Sequence, residues 1–328
     1  MFETLGLYKI LEPIGSGGIG ELLRARDTRL GRTVAIRIVA PSIADDPAKR
    51  ARFLADARAA EALSHPNIAA LYEIGEDQGA LFLVFEFVPG ETLKSTIAGR
   101  PMNPRRAIDL AVQIADALAE AHAVGVIHRD IRPGSILVTP KGNAKLLDFG
   151  LASWTKGGAE REQAATLVAG GSGTTMAIAA YLSPEQVLGE ALDQRTDVFS
   201  LAIVLFEMVT GSLPFTGTTP DALALRIAQA APVVPSSLNP ELPAELDAIL
   251  AKALSKSPTL RYEAAATLAA ELRSVGAILD VRSDVSEAAA AAVVDGPPRS
   301  SKVWMVLLVL AAIGAAGWLM RGRIAALW

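Results

Sequence analysis

The first part of the chain alternates short apolar runs with glycine-rich or Gly-Arg turns, a pattern typical of β-strands. One segment, residues 47–63, instead repeats its apolar positions with helical spacing, so that Phe53, Ala57 and Ala60 share one face. Pro89-Gly90 ends this part. The predicted strands are 8–14, 21–27, 33–39, 69–74 and 81–88.

After residue 90 the hydrophobic pattern becomes helical. Residues 104–124 form an amphipathic helix, and residues 198–210 are almost entirely apolar, as expected for a buried central helix. Short apolar runs at 136–138 and 144–147 resemble a hairpin. Further helices are predicted at 221–230, 244–254 and 264–279. The pattern predicts an α+β fold with a β-rich first lobe and a helical second lobe.

The last part of the chain differs from both lobes. Residues 280–302 are rich in Ala, Ser, Asp and Pro and are typical of a linker. Residues 303–320 carry no charge and as a helix would span roughly 27 Å, close to the thickness of the bilayer hydrocarbon. This predicts a single transmembrane helix followed by a short tail, 321–328; a buried core helix is the alternative. Ala312 and Ala316 form a small-xxx-small pair that could face a second copy, which suggests a homodimer.

The amino-acid composition argues against several classes of function. The chain has 328 residues, a net charge of -4, no cysteine and three histidines. Cysteine nucleophiles and thiolate zinc sites are excluded, a histidine-rich metal site is not expected, and the acidic balance argues against a nucleic-acid partner. The N-terminus lacks the basic and apolar regions of a signal peptide.

A glycine-rich segment, residues 15–20, lies between two predicted strands. Glycines at such a position let backbone N–H groups approach phosphates without interference from Cβ atoms. A dinucleotide-binding loop has similar spacing but opens a helix, whereas residues 21–24 continue as a strand. A flap over a nucleotide and a simple glycine-rich hairpin both remain open at this point.

Four further motifs follow in a fixed order. They are His128-Arg129-Asp130, Asp148-Phe149-Gly150, Ser183-Pro184-Glu185-Gln186 and the run that contains Asp197. Together with the glycine-rich segment they resemble the Hanks-type protein kinase family, and the Ser-Pro-Glu-Gln form resembles its bacterial Ser/Thr branch. The resemblance covers residues 8–275, with lobes at 8–88 and 89–275.

The resemblance implies ATP and Mg²⁺ as cofactors and a protein substrate or signalling partner. Asp130 matches the catalytic aspartate and Arg132 a cation at the γ-phosphate, while Asp148 and Ser135 match the metal-binding positions. Phe85 matches the residue at the back of the adenine pocket. The implied nucleotide-binding residues are Gly15, Ser16, Gly17, Gly18, Gly20, Leu22, Ala35, Arg37, Asp56, Glu86, Val88 and Leu137.

The large lobe is expected to contain matching structural residues. Glu185 and Arg261 match a buried ion pair of the family, and Asp197 matches an anchor beneath the catalytic loop. Arg129 matches the arginine that pairs with a phosphate on the activation loop in regulated kinases.

Several catalytic positions depart from the family pattern. Arg37 replaces a lysine and Asp56 replaces the glutamate that pairs with it, so the pair could still close with its centre shifted towards the helix. Arg132 also replaces a lysine. Ser135 replaces a metal-binding asparagine, and its shorter hydroxyl would reach Mg²⁺ only after a shift or through a bridging water.

The substrate loop departs as well. Counting back from Tyr181, Ala177-Ile178 stands where the family has Gly-Thr, unless an insertion makes Gly173-Thr174 the equivalent pair.

Two functions remain open at the level of sequence. The chain is either an active Ser/Thr kinase or, as the altered positions favour, a pseudokinase or weak kinase that still binds ATP. Because ATP is cytosolic, the kinase-like domain is expected on the cytoplasmic side of a cell membrane that the chain crosses once.

Overall fold

The computed structural model describes residues 2–17, 19–151, 154 and 176–294, with side chains as far as residue 284. Its strands are β1 (Thr4–Leu5), β2 (Tyr8–Gly17), β3 (Gly20–Asp27), β4 (Thr33–Val39), β5 (Leu71–Asp77), β6 (Ala80–Glu86), β7 (Glu91–Thr92), β8 (Ile136–Val138) and β9 (Ala144–Leu146). Its helices are α1 (Pro41–Ala44), α2 (Pro47–Glu61), α3 (Leu93–Ile97), α4 (Pro104–Ala123), α5 (Met176–Ala179), α6 (Pro184–Leu188), α7 (Arg195–Thr210), α8 (Pro220–Gln229), α9 (Pro235–Leu238), α10 (Ala244–Ala253) and α11 (Ala265–Val294).

The small lobe is a six-stranded antiparallel sheet in the order β1-β2-β3-β4-β6-β5. Its two faces are covered separately. One face packs Phe82, Val84 and Ile36 against β1, and the other packs Leu83 and Phe85 towards α2. Alternation along β4 and β6 therefore sorts the side chains between two cores, as the period of a strand requires.

Helix α2 begins and packs as its sequence predicts. The carboxylate of Asp46 accepts hydrogen bonds from the backbone N–H groups of Ala48 and Lys49, and Pro47 occupies the first helical position. Phe53 and Ala57 are fully buried against the sheet.

The large lobe is built around α7. Most side chains of this helix are buried on every side, which agrees with its nearly continuous apolar sequence. Helix α4 packs beside it and buries the apolar face predicted from its periodicity. A three-stranded sheet, β7-β8-β9, lies at the lobe's boundary with the small lobe.

The predicted elements are confirmed, with shifts at their ends. Strand β4 has the predicted limits, whereas β5 begins later than expected and runs to Asp77. Helix α11 extends to Val294, fifteen residues beyond the predicted end at residue 279, because the Ala-rich segment continues the helix. Part of the predicted linker, 280–294, is therefore helical. The compact kinase-like unit ends at Leu279.

The predicted membrane segment lies outside the described residues. Among the residues that are described, none of the helices has the length and apolar character needed to cross a bilayer. The span 303–320 and the tail 321–328 therefore stay predictions from the sequence.

Candidate nucleotide and catalytic site

The glycine-rich segment forms the turn of a hairpin between β2 and β3. Gly17 pairs with Gly20 and Gly15 pairs with Leu22, so the segment continues into a strand and does not open a helix. Gly20 has a φ of +140°, and a Cβ atom there would lie 1.8 Å from the carbonyl oxygen of Ile38. Only glycine fits this close approach. Gly18 lies outside the described residues.

Two of the residues that match the family's adenine pocket, Leu22 and Ala35, share one face of the small-lobe sheet. Leu22 is paired with Arg37 across β3 and β4, and Ala35 is paired with Phe85 across β4 and β6. Directly paired residues project to the same face, and so do residues two apart on a strand. The face thus carries apolar groups near the hinge, which is the connection between the lobes at residues 86–88, and a cation further along. Leu137 lies on β8 in the second sheet.

The hinge is held by an ion pair. Lys145 Nζ lies 2.6 Å from the carboxylate of Glu86, and it also donates to the carbonyl of Ile68 at 3.2 Å. The side chain of Glu86 is therefore engaged by β9. The nucleotide contacts expected at Glu86 and Val88 use their backbone atoms, so this ion pair is compatible with them.

The charged pair predicted between Arg37 and Asp56 is not formed. Arg37 Nη2 instead donates to both carboxylate oxygens of Asp148, at 2.9 Å each. Asp56 accepts a hydrogen bond of 2.7 Å from the indole Nε1–H of Trp154. Arg37 thus pairs with Asp148, the residue predicted to bind the metal, and not with a carboxylate on α2.

The contact between Arg37 and Asp148 affects whether a metal ion can bind at Asp148. Asp148 offers two hard carboxylate oxygens and its side chain is 26% exposed, so its chemistry suits Mg²⁺. Both oxygens, however, already receive hydrogen bonds from Arg37. A cation that binds Asp148 must therefore compete with an internal guanidinium.

The side chain of Ser135 bonds to backbone groups of the catalytic loop and stabilises its turn. Its hydroxyl donates to the carbonyls of Asp130 and Arg132, each at 2.9 Å, and accepts from the backbone N–H of Arg132 at 3.1 Å. The residue is buried. Its proton is used within the loop, so a role as a metal ligand would have to rely on its remaining lone-pair capacity. That role stays a prediction.

Asp130 is held by a neighbouring cation. Arg132 Nε lies 3.0 Å from one carboxylate oxygen of Asp130. This brings together the two predicted catalytic residues and orients the carboxylate, which a hydrogen-bond acceptor for a substrate hydroxyl requires.

Asp197 anchors the loop from below, as predicted. Its fully buried carboxylate accepts from the backbone N–H groups of His128 and Arg129, both at 2.8 Å, and contacts His122 Nε2 at 2.8 Å. Arg129 has a φ of +69°, an unfavourable conformation for a side chain of its type that these bonds stabilise. His128 packs edge-to-face on Phe149 with ring centres 4.8 Å apart, which connects the anchor to the metal-binding segment.

The predicted pair between Glu185 and Arg261 is formed and buried. Two hydrogen bonds of 2.7 and 2.8 Å join the carboxylate to the guanidinium, and Thr196 donates a third at 2.7 Å. Burial would raise the pKa of Glu185, but the hydrogen bonds and charge of Arg261 outweigh it and hold that pKa below its ordinary value. This region is a structural clamp.

The substrate loop is linked to the catalytic loop through Gln186, whose side-chain amide donates to the carbonyl of Arg129 at 2.8 Å. Ile178 lies in α5, immediately before this region, and has no side-chain hydrogen-bonding capacity. Gly173 and Thr174, the alternative pair, lie outside the described residues.

Two residues at the site were not anticipated from the sequence. Trp154 lies six positions after Asp148, and only the fold brings it to Asp56. His122 ends α4 and reaches Asp197 across 75 positions of sequence. For His122, its place on the apolar face of an amphipathic helix was a usable signal that a buried partner exists.

Comparisons with known proteins agree with this geometry. The protein kinase domain family matches residues 8–272. The probable serine/threonine-protein kinase SCO3848 of Streptomyces coelicolor is 39% identical over 79% of this chain and 38% of its own length. PknB of Mycobacterium tuberculosis is 40% identical over 81% and 42%, and PrkC of Bacillus subtilis 37% over 82% and 40%.

Among solved structures, the kinase domain of Mycobacterium tuberculosis PknI is similar in fold, with a TM-score of 0.64 at 24% identity. The match covers 83% of this chain and 97% of that one.

The lobes and the ordered motifs together define a two-lobed protein kinase fold. The chain belongs to the Hanks-type family of bacterial Ser/Thr protein kinases. It spans about two fifths of the length of the curated relatives it matches. Protein kinases use ATP and a divalent metal ion.

Proposed function

We propose that this protein is a membrane-anchored kinase-family member that binds Mg-ATP, transfers phosphate weakly or not at all, and acts in signalling. One observation carries the proposal: Arg37 donates to both oxygens of Asp148 while Asp56 is engaged by Trp154. The cation expected to hold phosphates is directed at the carboxylate expected to hold the metal.

The physical argument concerns positioning. Phosphoryl transfer depends almost wholly on placing the γ-phosphate, the metal and the acceptor correctly, and misplacement by about 1 Å can cost about 100-fold in rate. Here Arg37 must leave Asp148 before a metal is held there, and Ser135 offers one hydroxyl in place of an amide. The adenine end keeps Leu22, Ala35 and Leu137, so binding is expected to survive better than transfer.

An active Ser/Thr kinase is the second candidate, and the catalytic loop favours it. Asp130 is oriented by Arg132 and the loop is held by Asp197, which supports a role for Asp130 as the group that would accept the substrate hydroxyl proton. In that case, Asp130 acts as base for transfer of the γ-phosphate to a protein Ser or Thr. Asp148, with Ser135, would hold the Mg²⁺ that neutralises the phosphate oxygens.

The membrane anchor rests on the uncharged segment 303–320. We infer the cytoplasmic side for the kinase domain from the location of ATP, and Ala312 and Ala316 could mediate a homodimer. If the anchor is correct, the full chain stays with the membrane fraction after an alkaline wash and is released by detergent. Release by the alkaline wash alone would contradict it.

Nucleotide binding is tested by calorimetry on the full chain in detergent. We expect Mg-ATP to bind, with weaker binding when EDTA removes the metal. No heat of binding and no rise in melting temperature at millimolar Mg-ATP would refute the proposal.

Transfer is tested separately with radiolabelled ATP and a generic protein substrate, with Asp130→Asn as the matched control. We expect little or no incorporation by the wild-type chain. Incorporation that disappears in Asp130→Asn would refute the pseudokinase assignment and establish the second candidate.

A further inference from the structure

Trp154 is a buried aromatic residue whose polar atom is committed to one partner. The side chain is 3% exposed, and its Nε1–H donates to Asp56 Oδ2 at 2.7 Å. Its ring meets Phe53 edge-to-face with centres 5.5 Å apart, and the guanidinium of Arg52 lies 5.8 Å from the ring centre. All three partners lie on α2, so Trp154 is packed against that helix and orients Asp56.

A short run of backbone hydrogen bonds connects Trp154 with the metal-binding carboxylate. The N–H of Leu151 donates to the carbonyl of Asp148 at 3.1 Å, and the N–H of Trp154 donates to the carbonyl of Leu151 at 3.0 Å. Leu151 is fully buried in the same hydrophobic cluster as Trp154 and Phe53. Because each of these hydrogen bonds joins residues only three positions apart, the position of Trp154 and the position of Asp148 depend on each other.

Helix α2 already lies close to the metal-binding segment. A Cβ atom on Gly150 would lie 3.8 Å from the carbonyl oxygen of Asp56 and 3.7 Å from the Cβ of Ala60. Movement of the whole helix is therefore not needed to explain the missing ion pair. The direction of the Asp56 carboxylate is decided locally, by the indole that binds it.

The cluster of Arg37, Asp56 and Asp148 has one cation for two carboxylates, which limits how its charges can pair. Arg37 contacts the carboxylate of Asp148, and Asp56 is the partner that the sequence predicts for it. The guanidinium thus has two candidate partners, and the carboxylate that it leaves becomes free for a second cation. While Trp154 holds Asp56, Arg37 neutralises Asp148. If Asp56 took Arg37 instead, Asp148 would be free for Mg²⁺. A ligand that binds Asp148 favours the second arrangement in proportion to its differential affinity.

We propose that Trp154 is a positioning residue that holds Asp56 away from Arg37 and so sets the affinity of the site for Mg-ATP. The inference rests on the proposed binding of Mg-ATP. The indole acts through Asp56 and Arg37 and touches neither nucleotide nor metal. Its removal releases the Asp56 carboxylate, which then draws Arg37 from Asp148.

The test uses the full chain with Trp154→Phe, Asp56→Asn and the double variant. Trp154→Phe keeps an aromatic ring against Phe53 and loses only the N–H donor. We expect it to tighten Mg-ATP binding about tenfold, the scale of one hydrogen bond to a charged group, and to leave ATP binding in EDTA unchanged. Asp56→Asn keeps an acceptor for the indole but has no charge to attract Arg37, so no tightening is expected. The double variant is expected to match Asp56→Asn.

Tyr262→Phe is the matched control, because it also removes one aromatic donor to a carboxylate, Glu271, but lies in the large lobe. It is expected to leave Mg-ATP affinity unchanged. Tightening in Trp154→Phe that persists in the double variant would overturn the inference, since Asp56 would not be the mediator. Equal affinities of wild type and Trp154→Phe would overturn it as well.

A spectroscopic measurement on the wild-type chain keeps the inference testable if a variant fails to fold. With 5-fluorotryptophan in the wild-type chain, the Trp154 resonance is assigned by its loss in Trp154→Phe and is expected to shift with Mg-ATP but not with ATP in EDTA. A resonance unmoved at saturation would overturn the inference. If the wild type binds no Mg-ATP, the proposed function fails on its own. Binding that appears in Trp154→Phe would then still support the inference, and its absence there would overturn it.

Discussion

The large lobe and the predicted phosphate site differ in whether their charged residues pair as the family pattern implies. In the large lobe, Glu185 pairs with Arg261 and Asp197 holds the catalytic loop, in the arrangement the family pattern implies. At the phosphate-handling end, Arg37 and Asp56 keep their charges but have exchanged partners. The ion pair that stabilises the large lobe follows the family pattern, while the residues predicted to place phosphate have other partners than that pattern implies.

Burial explains the contrast. The side chains of Arg261 and Glu185 are 0% and 4% exposed, so either one left alone would be a buried charge. Asp148 is 26% exposed and can be solvated in more than one arrangement. The small-lobe cluster therefore tolerates alternative pairings that the large-lobe clamp does not.

The largest expected effect is in the clamp. Arg261→Met leaves the buried carboxylate of Glu185 without its cation and is expected to lower the free energy of unfolding by about 3–5 kcal/mol. Urea denaturation measures it. Arg273→Met is the control, because its pair with Asp116 is largely exposed and is worth at most about 1 kcal/mol. Similar losses in both variants would remove the distinction between clamp and surface pair.

A smaller loss of stability is expected from Asp148→Asn. The change leaves the guanidinium of Arg37 with a neutral acceptor, at a cost of about 1–3 kcal/mol in unfolding free energy. Calorimetry with and without EDTA should also show that Mg²⁺ no longer strengthens ATP binding. A variant that still binds Mg-ATP more tightly than ATP would show that the metal is held elsewhere.

Removal of the Ser135 hydroxyl should cost less again. Ser135→Ala removes the hydroxyl that donates to the carbonyls of Asp130 and Arg132 and is expected to lower the unfolding free energy by about 1 kcal/mol. Ser274→Ala is a suitable control, since Ser274 bonds only to a carbonyl one turn earlier on an exposed helical face. A null effect in Ser135→Ala would mean that the loop is closed without this side chain.

The smallest effect is a pH dependence in the large lobe. Burial, assisted by the charge of Arg261, lowers the pKa of Lys256 to about 8, from the ordinary lysine value of 10.5. The unfolded chain keeps that proton up to about pH 10.5, so the unfolding free energy should rise with pH from about 8 towards 10. Chemical denaturation at about pH 7.5 and 9.5 measures the rise. Lys256→Met should reduce it, and an equal rise in both proteins would assign it to other groups.

Much of the fold was accessible from hydrophobic periodicity. The limits of β4 and the buried faces of α2 and α4 follow from patterns that need only neighbours along the chain. The sequence did not predict the end of α11, because an Ala-rich segment is compatible with both a linker and a helix. Within the site, the ordered motifs predicted the contacts of Asp197 with the catalytic loop, and the structure confirms them. The roles of Asp130 and Asp148 stay predictions.

What the sequence determined by itself was the family, the two lobes and the identity of the charged groups at the site. What only the tertiary structure decided was which of those charges pair. A motif specifies residue types and spacing, whereas partner choice depends on competition among groups brought together from distant positions. Trp154 is 98 positions from Asp56, and no local pattern connects them. The folded chain sets that indole against the helix, and Arg37 is left to Asp148.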